Sequence, residues 1–451
     1  MKSMQFKSAL MLVLSLATAG SYAAVPPEEA AALGTTLTPM GAERAGNQDG
    51  SIPAWTGAAT PNAGIVQGRR QDPFADEKPL FSVDAKNMAQ HADYLTEGTK
   101  ALIQKYPETF RLDVYKTHRT AIAPQWVYDN TARNAVNAQL KEGAAGLLPE
   151  GAYGGVPFPI PKSGLEVMWN HQLRWRGDAW YLEAKGYQLT SDGQWINVLD
   201  AENSMWMPYY SQAPDKFNDE YYLIRSLTKG PAIRAGEAIT GRMNLDESKS
   251  ATWVYLTGQR RVRKLPNSCC DTPTPFSAGI ASFDEVGVFT GRMDRFDWKL
   301  LGKKEMYIPY NTNRILQPDT DRELLGDKHI NPDHVRWERH RVWVVEAELK
   351  NGQRHTSPKS RYYIDEDSWD AVIAERYDAN GQLARVPYGL PMVMSDIPAT
   401  EQVNWGVYDL TNGASYVTGF PNERRGMYVP KSSQYRDFMF TPDAMAAEGV
   451  R

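Results

Sequence analysis

Apolar and polar side chains alternate along most of the chain beyond residue 165. This period of two is typical of β-strands that bury one face. Turn-forming pairs such as Asn351-Gly352 and Asn412-Gly413 separate neighbouring stretches and favour tight hairpins. The alternating stretches are 165–175, 179–190, 194–200, 219–228, 231–243, 251–264, 334–349, 360–367, 371–388 and 407–420. The pattern predicts a serial antiparallel meander of about ten or more strands.

The stretch 334–349 shows how such a sheet divides its two faces. In a strand, Val345, Ala347 and Leu349 lie on one side, and Glu346 and Glu348 lie on the other. One dry face and one wet face indicate a half-buried antiparallel sheet. A sheet of this size has to close, curl or be covered by helices. We therefore predict an α+β fold that is mainly β.

Helices are predicted ahead of the sheet. Apolar residues recur at near-helical spacing over 84–106, and Pro107 marks the end of that helix. A second helix is predicted over 131–142, with Asn130 as its N-cap and Gly143 just past its end.

The N-terminus has the features of a secretory signal peptide. Lys2 and Lys7 are positive, residues 8–20 are mostly apolar, and Ser21-Tyr22-Ala23 offers small residues for cleavage after Ala23. We expect an exported, soluble protein, most simply a periplasmic one.

The chain is then expected to divide into three parts. Residues 1–23 form the signal peptide, and residues 24–82 form an extended arm rich in Ala, Gly and Pro. Residues 83–451 form one body, with its helical part at about 84–145 and its meander at about 165–420.

The overall charge bears on the class of partner. The chain has a net charge of −4, and removal of Lys2 and Lys7 makes it more acidic. An acidic exported chain argues against nucleic acid as the general partner. The 13 Trp and 23 Tyr residues suit either a large core or an apolar ligand cavity.

The two cysteines, Cys269 and Cys270, are adjacent. Neighbouring Cα atoms lie ~3.8 Å apart, below the ~4.4–6.8 Å of ordinary disulfides. The pair therefore forms either a strained vicinal disulfide or two thiols that are buried or bound to a partner. Its spacing does not suit zinc, and the fold is not a disulfide scaffold.

The chain lacks the sequence motifs of the common catalytic and nucleotide sites. His334, Glu338 and His340 share one strand face, but Arg336 lies among them. We interpret this set as the outer face of an edge strand, and we predict no metal site and no cofactor.

Two groups of carboxylates are candidates for acid–base chemistry. Asp365-Glu366-Asp367 forms one group, and Asp319 and Asp321 form another. We expect the first group to be solvated charges at a turn or strand end, and the second to be solvated charges in a polar loop.

A cationic ribbon follows an aromatic strand. Arg260, Arg261, Arg263 and Lys264 come directly after the turn 257–259. A solvated sheet face is the expected role, and cations on an edge strand also guard against aggregation. Contact with an anionic head group or an acidic partner is the alternative.

Several segments resemble one known family. They are GAERAGNQDGSIPAWTG (41–57), WVYLTGQRRVRKLP (253–266), FDEVGVFTGRMDRFDWKLLGKKEMYIPYN (283–311) and RYYIDEDSWDAVIAERYDANGQLAR (361–385). The chain resembles the proteobacterial domain-of-unknown-function family one-three-two-nine, which is often labelled outer-membrane lipoprotein-sorting-like. The resemblance runs through nearly the whole mature chain.

The resemblance implies a fold like that of the lipoprotein carriers LolA and LolB. In that fold a curved antiparallel sheet forms an open half-barrel, and helices cover its concave face over an apolar cavity. The resemblance also implies an exporter of the resistance-nodulation-division type and an outer-membrane protein as partners. It implies no catalytic residues, and the chain is about twice as long as true lipoprotein carriers.

We therefore expect a periplasmic carrier or adaptor that binds a lipid-like molecule, and not an enzyme. The candidate cavity residues are Trp253, Tyr255, Trp343, Val345 and Tyr362, and the alternative for each is simple core packing. Arg260, Arg261 and Arg263 are candidates for contact with a head group or partner.

The alternative function is an envelope hydrolase that uses paired carboxylates on a glycan or lipid. Two carboxylates about 5–9.5 Å apart in a cleft would favour it.

Overall fold

The computed structural model describes residues 24–210, 214–266, 269–424 and 434–449. The predicted signal peptide, residues 1–23, lies outside the described residues. The α-helices are α1 Pro27–Ala30, α2 Glu97–Lys105, α3 Gln125–Asn137, α4 Gly164–Gln172, α5 Asp321–Leu324 and α6 Pro442–Gly449.

Strands make up most of the body. They are β1 Ile65–Val66, β2 Arg69–Arg70, β3 Phe81–Val83, β4 Leu112–Val114, β5 Gln139–Gly143, β6 Gly146–Glu150, β7 Ala179–Leu189, β8 Trp195–Trp206, β9 Glu220–Gly230, β10 Ala238–Asn244, β11 Ala251–Leu256, β12 Arg261–Lys264, β13 Phe296–Pro309, β14 Arg336–Leu349, β15 Lys359–Asp365, β16 Ala371–Tyr377, β17 Leu383–Met394, β18 Ala399–Asp409 and β19 Ser415–Phe420.

One sheet of 15 strands dominates the molecule. Its order is β12-β11-β10-β9-β8-β7-β19-β18-β17-β16-β15-β14-β4-β3, and β13 pairs along β14. Every pairing in it is antiparallel except that of β4 with β14. The strand order starts at β12 and ends at β3, and these two strands do not pair with each other within the described residues, so the sheet is open. The prediction of a large, open antiparallel sheet is confirmed.

The hairpin of β11 and β12 forms one edge of this sheet. Its turn places Leu256 opposite Arg261, and Arg260 adopts a positive φ of 49° within that turn. The cationic strand is therefore an edge strand, as an aggregation guard requires.

The stretch 165–175, predicted as a strand, is mostly helical, and that prediction is wrong. Ser163 caps α4 by accepting a hydrogen bond from the Glu166 backbone N–H at 3.3 Å. Nearly the whole surface of α4 is buried. A helix that is buried on all sides has no solvent-facing row of polar residues, so its hydrophobic pattern resembles that of a short apolar strand.

The second helix is also displaced from its prediction. It is α3, which begins after Pro124, so Asn130 lies inside the helix and is not its N-cap. Residues predicted to form its last turn belong to β5, and Gly143 ends that strand. The first helix, predicted over 84–106, divides into a 3-10 turn at Met88–Tyr94 and α2.

Helices pack on both faces of the sheet. On one face, the Tyr362 ring packs against Phe289, whose carbonyl is 3.0 Å from His171 Nε2 of α4. Register places Glu375 on the opposite face, where its carboxylate accepts a hydrogen bond from the Gly98 N–H of α2 at 3.1 Å. In the described ranges of the chain, no helix is long and apolar enough to cross a bilayer.

Candidate functional site

A small apolar cavity lies between α2, the segment 330–335 and the sheet. Its volume is about 40 Å³, which is room for roughly three water-sized spheres. Its lining residues are Thr99, Leu102, Phe110, Arg111, Pro309, Ile330, Pro332, Val335, Trp337, Ile373, Val386, Tyr388, Leu390 and Tyr408. An apolar lining with few polar groups suits a hydrophobic ligand.

The cover of this cavity is α2, and its fit depends on a glycine. A Cβ atom at Gly98 would lie 2.9 Å from Val386 Cγ1 on the sheet, closer than side chains tolerate. The helix begins at Thr96, whose hydroxyl accepts from the Thr99 N–H at 3.0 Å. Beyond the helix, Thr109 Oγ1 and His329 Nε2 lie 2.9 Å apart and join this cover to the neighbouring loop.

The floor of the cavity is formed by β16, β17 and β18. The Tyr388 and Tyr408 rings stack with centroids 4.8 Å apart. Burial raises the pKa of both hydroxyls, so both stay neutral at physiological pH. The floor therefore presents no charge to a ligand.

The five residues predicted to line a cavity lie elsewhere. Tyr255 and the half-buried Trp253 belong to a separate cluster with Ala238 of β10 and Met445 of α6. Trp343 stacks on Trp369 with centroids 6.3 Å apart.

Val345 and Tyr362 are cross-strand partners on the face that α4 covers. The Tyr362 ring packs against Phe289 and Trp298. All five therefore contact protein side chains, and ligand binding by any of them stays a prediction.

Arg260, Arg261 and Arg263 are exposed on the edge hairpin. The hairpin lies far from the cavity in the sheet, because seven strands separate β12 from β17 in the strand order. Contact with a head group or partner stays a prediction.

Cys269 and Cys270 are free thiols in the structure, with Cys270 buried and Cys269 partly buried. Cys270 has a positive φ of 62°. A hydrogen bond from Cys270 and the positive charge of Arg295 lower the pKa of Cys269 to about 7.

The carboxylates at 365–367 are buried, so their prediction as solvated charges is wrong. Asp365 is 0% exposed. Asp367 accepts two hydrogen bonds from Arg119, at 2.7 and 2.8 Å, and Glu366 accepts one from Lys303 at 2.6 Å. The backbone N–H of Glu43 also reaches Glu366, at 3.3 Å. The N-terminal arm and Arg119 therefore cover the pair Asp365 and Asp367 and separate it from solvent.

The other two carboxylates, Asp319 and Asp321, differ in their exposure to solvent. Asp319 is solvated as predicted, with its side chain 83% exposed, but Asp321 is 1% exposed and accepts a hydrogen bond from the Tyr187 hydroxyl at 2.6 Å.

The face of β14 that carries Glu338 and His340 is buried too. The prediction of an outer face on an edge strand is wrong because β14 lies between β13 and β15. Glu338 accepts from Arg336 Nε at 2.5 Å and lies 3.1 Å from His340 Nε2. His334 belongs to the turn before the strand and does not join this set.

Sequence reasoning missed the cavity-lining residues. The alternation of apolar residues in their strands is present in the sequence, but residues that fill a core and residues that line a cavity show the same alternation. The position of α2 in the fold is needed to tell which of these apolar side chains line the cavity.

A family model described as Protein of unknown function (DUF1329) matches residues 82–446. The chain belongs to this family. An uncharacterized protein of Pseudomonas aeruginosa is 40% identical over 453 residues and covers 98% of each chain. The predicted family resemblance is confirmed.

Two solved structures are similar to this DUF1329 chain. A DUF1329 family protein from Desulfovibrio piger has a TM-score of 0.43 at 13% identity, covering 62% of this chain and 97% of that one. A LolA superfamily protein from Nitrosomonas europaea has a TM-score of 0.36 at 14% identity, covering 63% of this chain and 100% of that one.

Proposed function

We propose that this DUF1329 protein is a carrier of the cell envelope that shields a hydrophobic, lipid-like molecule from water. The apolar cavity under α2 is the observation that carries the proposal. Transfer of apolar surface into such a site is favourable in proportion to the area removed from water. The signal-peptide pattern supports a periplasmic location.

The cavity of about 40 Å³ represents the closed form in this proposal. An acyl chain needs more room, so α2 and the segment 330–335 have to move outward during loading. Single hydrogen bonds connect α2 and the residues after it to the rest of the protein. Examples are the bond from the Gly98 N–H to the Glu375 carboxylate and the bond between the Thr109 hydroxyl and His329. A carrier also needs a donor and an acceptor, and an envelope exporter and an outer-membrane protein are the partners we propose for those roles.

Extraction of the purified whole chain tests this proposal. We expect native mass spectrometry followed by solvent extraction to release a reproducible apolar molecule. In addition, the apolar fluorophore N-phenyl-1-naphthylamine should bind the emptied protein with increased emission.

A cavity-filling variant makes the test specific. Val386→Phe on the cavity floor should reduce fluorophore affinity at least tenfold, whereas Tyr362→Phe on the opposite face should leave it unchanged. Circular dichroism confirms that both variants fold. Extraction that yields no apolar molecule, together with equal fluorophore binding by the two variants, contradicts the carrier proposal.

A further inference from the structure

His340, Asp365 and Asp367 come together under the N-terminal arm, on the face of the sheet that Glu338 also occupies. One possible ligand atom from each of the three lies within 4.8 Å of the others, and all three side chains are buried. Register explains the convergence, because Val342, two residues after His340, pairs with Asp365. Side chains two residues apart on a strand share a face.

Asp365 has an unsatisfied oxygen within this group. Its Oδ2 accepts hydrogen bonds from the Ser368 N–H at 2.8 Å and the Ser368 hydroxyl at 2.7 Å. Its Oδ1 is buried without a hydrogen-bond partner in the described part of the chain and lies 3.9 Å from His340 Nδ1. That distance is too long for a hydrogen bond, but two metal–ligand bonds of ~2.0–2.2 Å can span it.

A second buried polar atom lies beside the group. The Tyr310 ring stacks on His340 with centroids 3.9 Å apart, and Tyr310 is 1% exposed. Its hydroxyl has no hydrogen-bond partner among residues 24–210, 214–266, 269–424 and 434–449. A buried hydroxyl without a partner costs free energy, and a metal-bound water would supply that partner.

The orientation of His340 suits a ligand to a metal. Its Nε2 faces the Glu338 carboxylate at 3.1 Å, so Nε2 donates and Nδ1 presents its lone pair toward Asp365. Histidine ligands in metal sites are held in this way by a carboxylate on the other ring nitrogen.

Asp365 makes no close ion pair with an Arg or Lys among the described residues. Glu338 pairs with Arg336, Glu366 with Lys303, and Asp367 with Arg119. The partner of Asp365 is His340, whose Nδ1 lies 3.9 Å from Oδ1, and Arg119 acts on Asp365 only from a greater distance. A positive charge placed between Asp365 and His340 would therefore stabilise a carboxylate that has no Arg or Lys in contact with it within the described residues.

We propose that His340 Nδ1 and Asp365 Oδ1 bind a divalent first-row transition-metal ion, with Asp367 as the third ligand through its remaining lone pairs and Glu338 as the positioning residue. One imidazole and two carboxylates favour zinc or manganese over copper(I), which selects thiolates and thioethers. The ion would fasten β14 to the end of β15 beneath the N-terminal arm.

Metal analysis of the whole purified chain tests the site independently of any apolar ligand. We expect about one equivalent of zinc or manganese by inductively coupled plasma mass spectrometry. Chelation should lower the melting temperature, and one equivalent of zinc should restore it. Cobalt(II) added to the chelated protein should give a visible absorption band typical of bound imidazole and carboxylate.

Variants assign the ligands. Asp365→Asn and His340→Gln should abolish the cobalt band, and Glu338→Gln should weaken zinc binding by about 10–100-fold. His334→Gln and the exposed Asp297→Asn serve as matched controls and should change neither.

If the ligand variants fail to fold, the measurements on the unsubstituted chain still decide. The proposal is overturned if that chain contains no metal and chelation leaves its melting temperature unchanged. It is also overturned if folded ligand variants bind zinc as tightly as the controls do.

Discussion

Arg376 donates a hydrogen bond from Nη1 to Asp284 Oδ2 across 3.0 Å, and the two side chains are 2% and 4% exposed. This ion pair joins two segments on which the family resemblance rests, 283–311 and 361–385. Arg385 and Glu285 join the same segments at 2.7 Å. Two of the segments that resemble the family therefore meet in the fold through buried ion pairs, although they are distant in the sequence.

Removal of one partner of this pair should strongly destabilise the protein. Arg376→Met leaves the Asp284 carboxylate buried without its cation, and such losses cost about 3–5 kcal/mol. Urea denaturation at pH 7 measures the change in the free energy of unfolding. Lys359→Met, which breaks the more exposed pair with Glu346, should cost no more than about 1 kcal/mol. Equal losses in the two variants would show that burial is not the cause.

Asp321 should make stability depend on pH. Burial raises the pKa of this carboxyl to about 6. Between about pH 4 and pH 6 the folded chain therefore keeps a proton that the unfolded chain has lost. This contribution favours folding at low pH and disappears as pH rises through 6.

The variant Asp321→Asn removes that titration. Its free energy of unfolding relative to the parent protein should rise by about 1–3 kcal/mol between pH 4 and pH 7. Urea denaturation at several pH values measures the difference. A difference that stays flat across this pH range for Asp321→Asn would refute the assignment.

Loss of the Thr96 cap should loosen the cover of the cavity. Thr96→Ala removes the acceptor for the Thr99 N–H, and caps of this kind contribute about 0.5–2 kcal/mol. Hydrogen exchange of the α2 amides should become faster, because local opening depends on the stability of the local structure. Thr96→Ser keeps the hydroxyl and should retain the slow exchange. Unchanged exchange in Thr96→Ala would mean that packing alone holds α2.

The cations on the edge strand should keep the protein from associating. The double variant Arg261→Val with Arg263→Val converts β12 into an apolar edge, which is prone to pair with another edge. Size-exclusion chromatography with light scattering should show larger species at high concentration. Arg260→Asn in the turn, where asparagine tolerates the positive φ, serves as the control. A double variant with an unchanged mass distribution would contradict this role for the two arginines.

Much of the sheet was predictable because its signal is local. Strands β7, β9, β11, β12, β14, β15, β16 and β19 follow the alternating stretches closely, since the period of two depends only on neighbouring residues. Strands β8, β10 and β17 overlap their predicted stretches in part, and most of β18 was not predicted. The strand β13 was not predicted. Its first half does alternate, with Asp297, Lys299, Leu301 and Lys303 exposed between less exposed residues, but the successive charged residues Lys303, Lys304 and Glu305 interrupt the pattern.

The candidate site was predictable only in part. The sequence indicated a hydrophobic ligand but not the cavity floor at Val386, Tyr388 and Leu390. Those residues resemble any other buried strand, and α2 comes from a segment almost 300 residues earlier.

By itself, the sequence determined the family, the antiparallel meander, the cationic edge strand and the signal-peptide pattern of residues 1–23. Each follows from residue order over short distances. Tertiary structure decided which charges are buried. Asp365 and Asp367 look like solvated turn residues until Arg119 and the N-terminal arm cover them. Burial depends on distant segments that exclude water, and a local pattern of charges cannot report it.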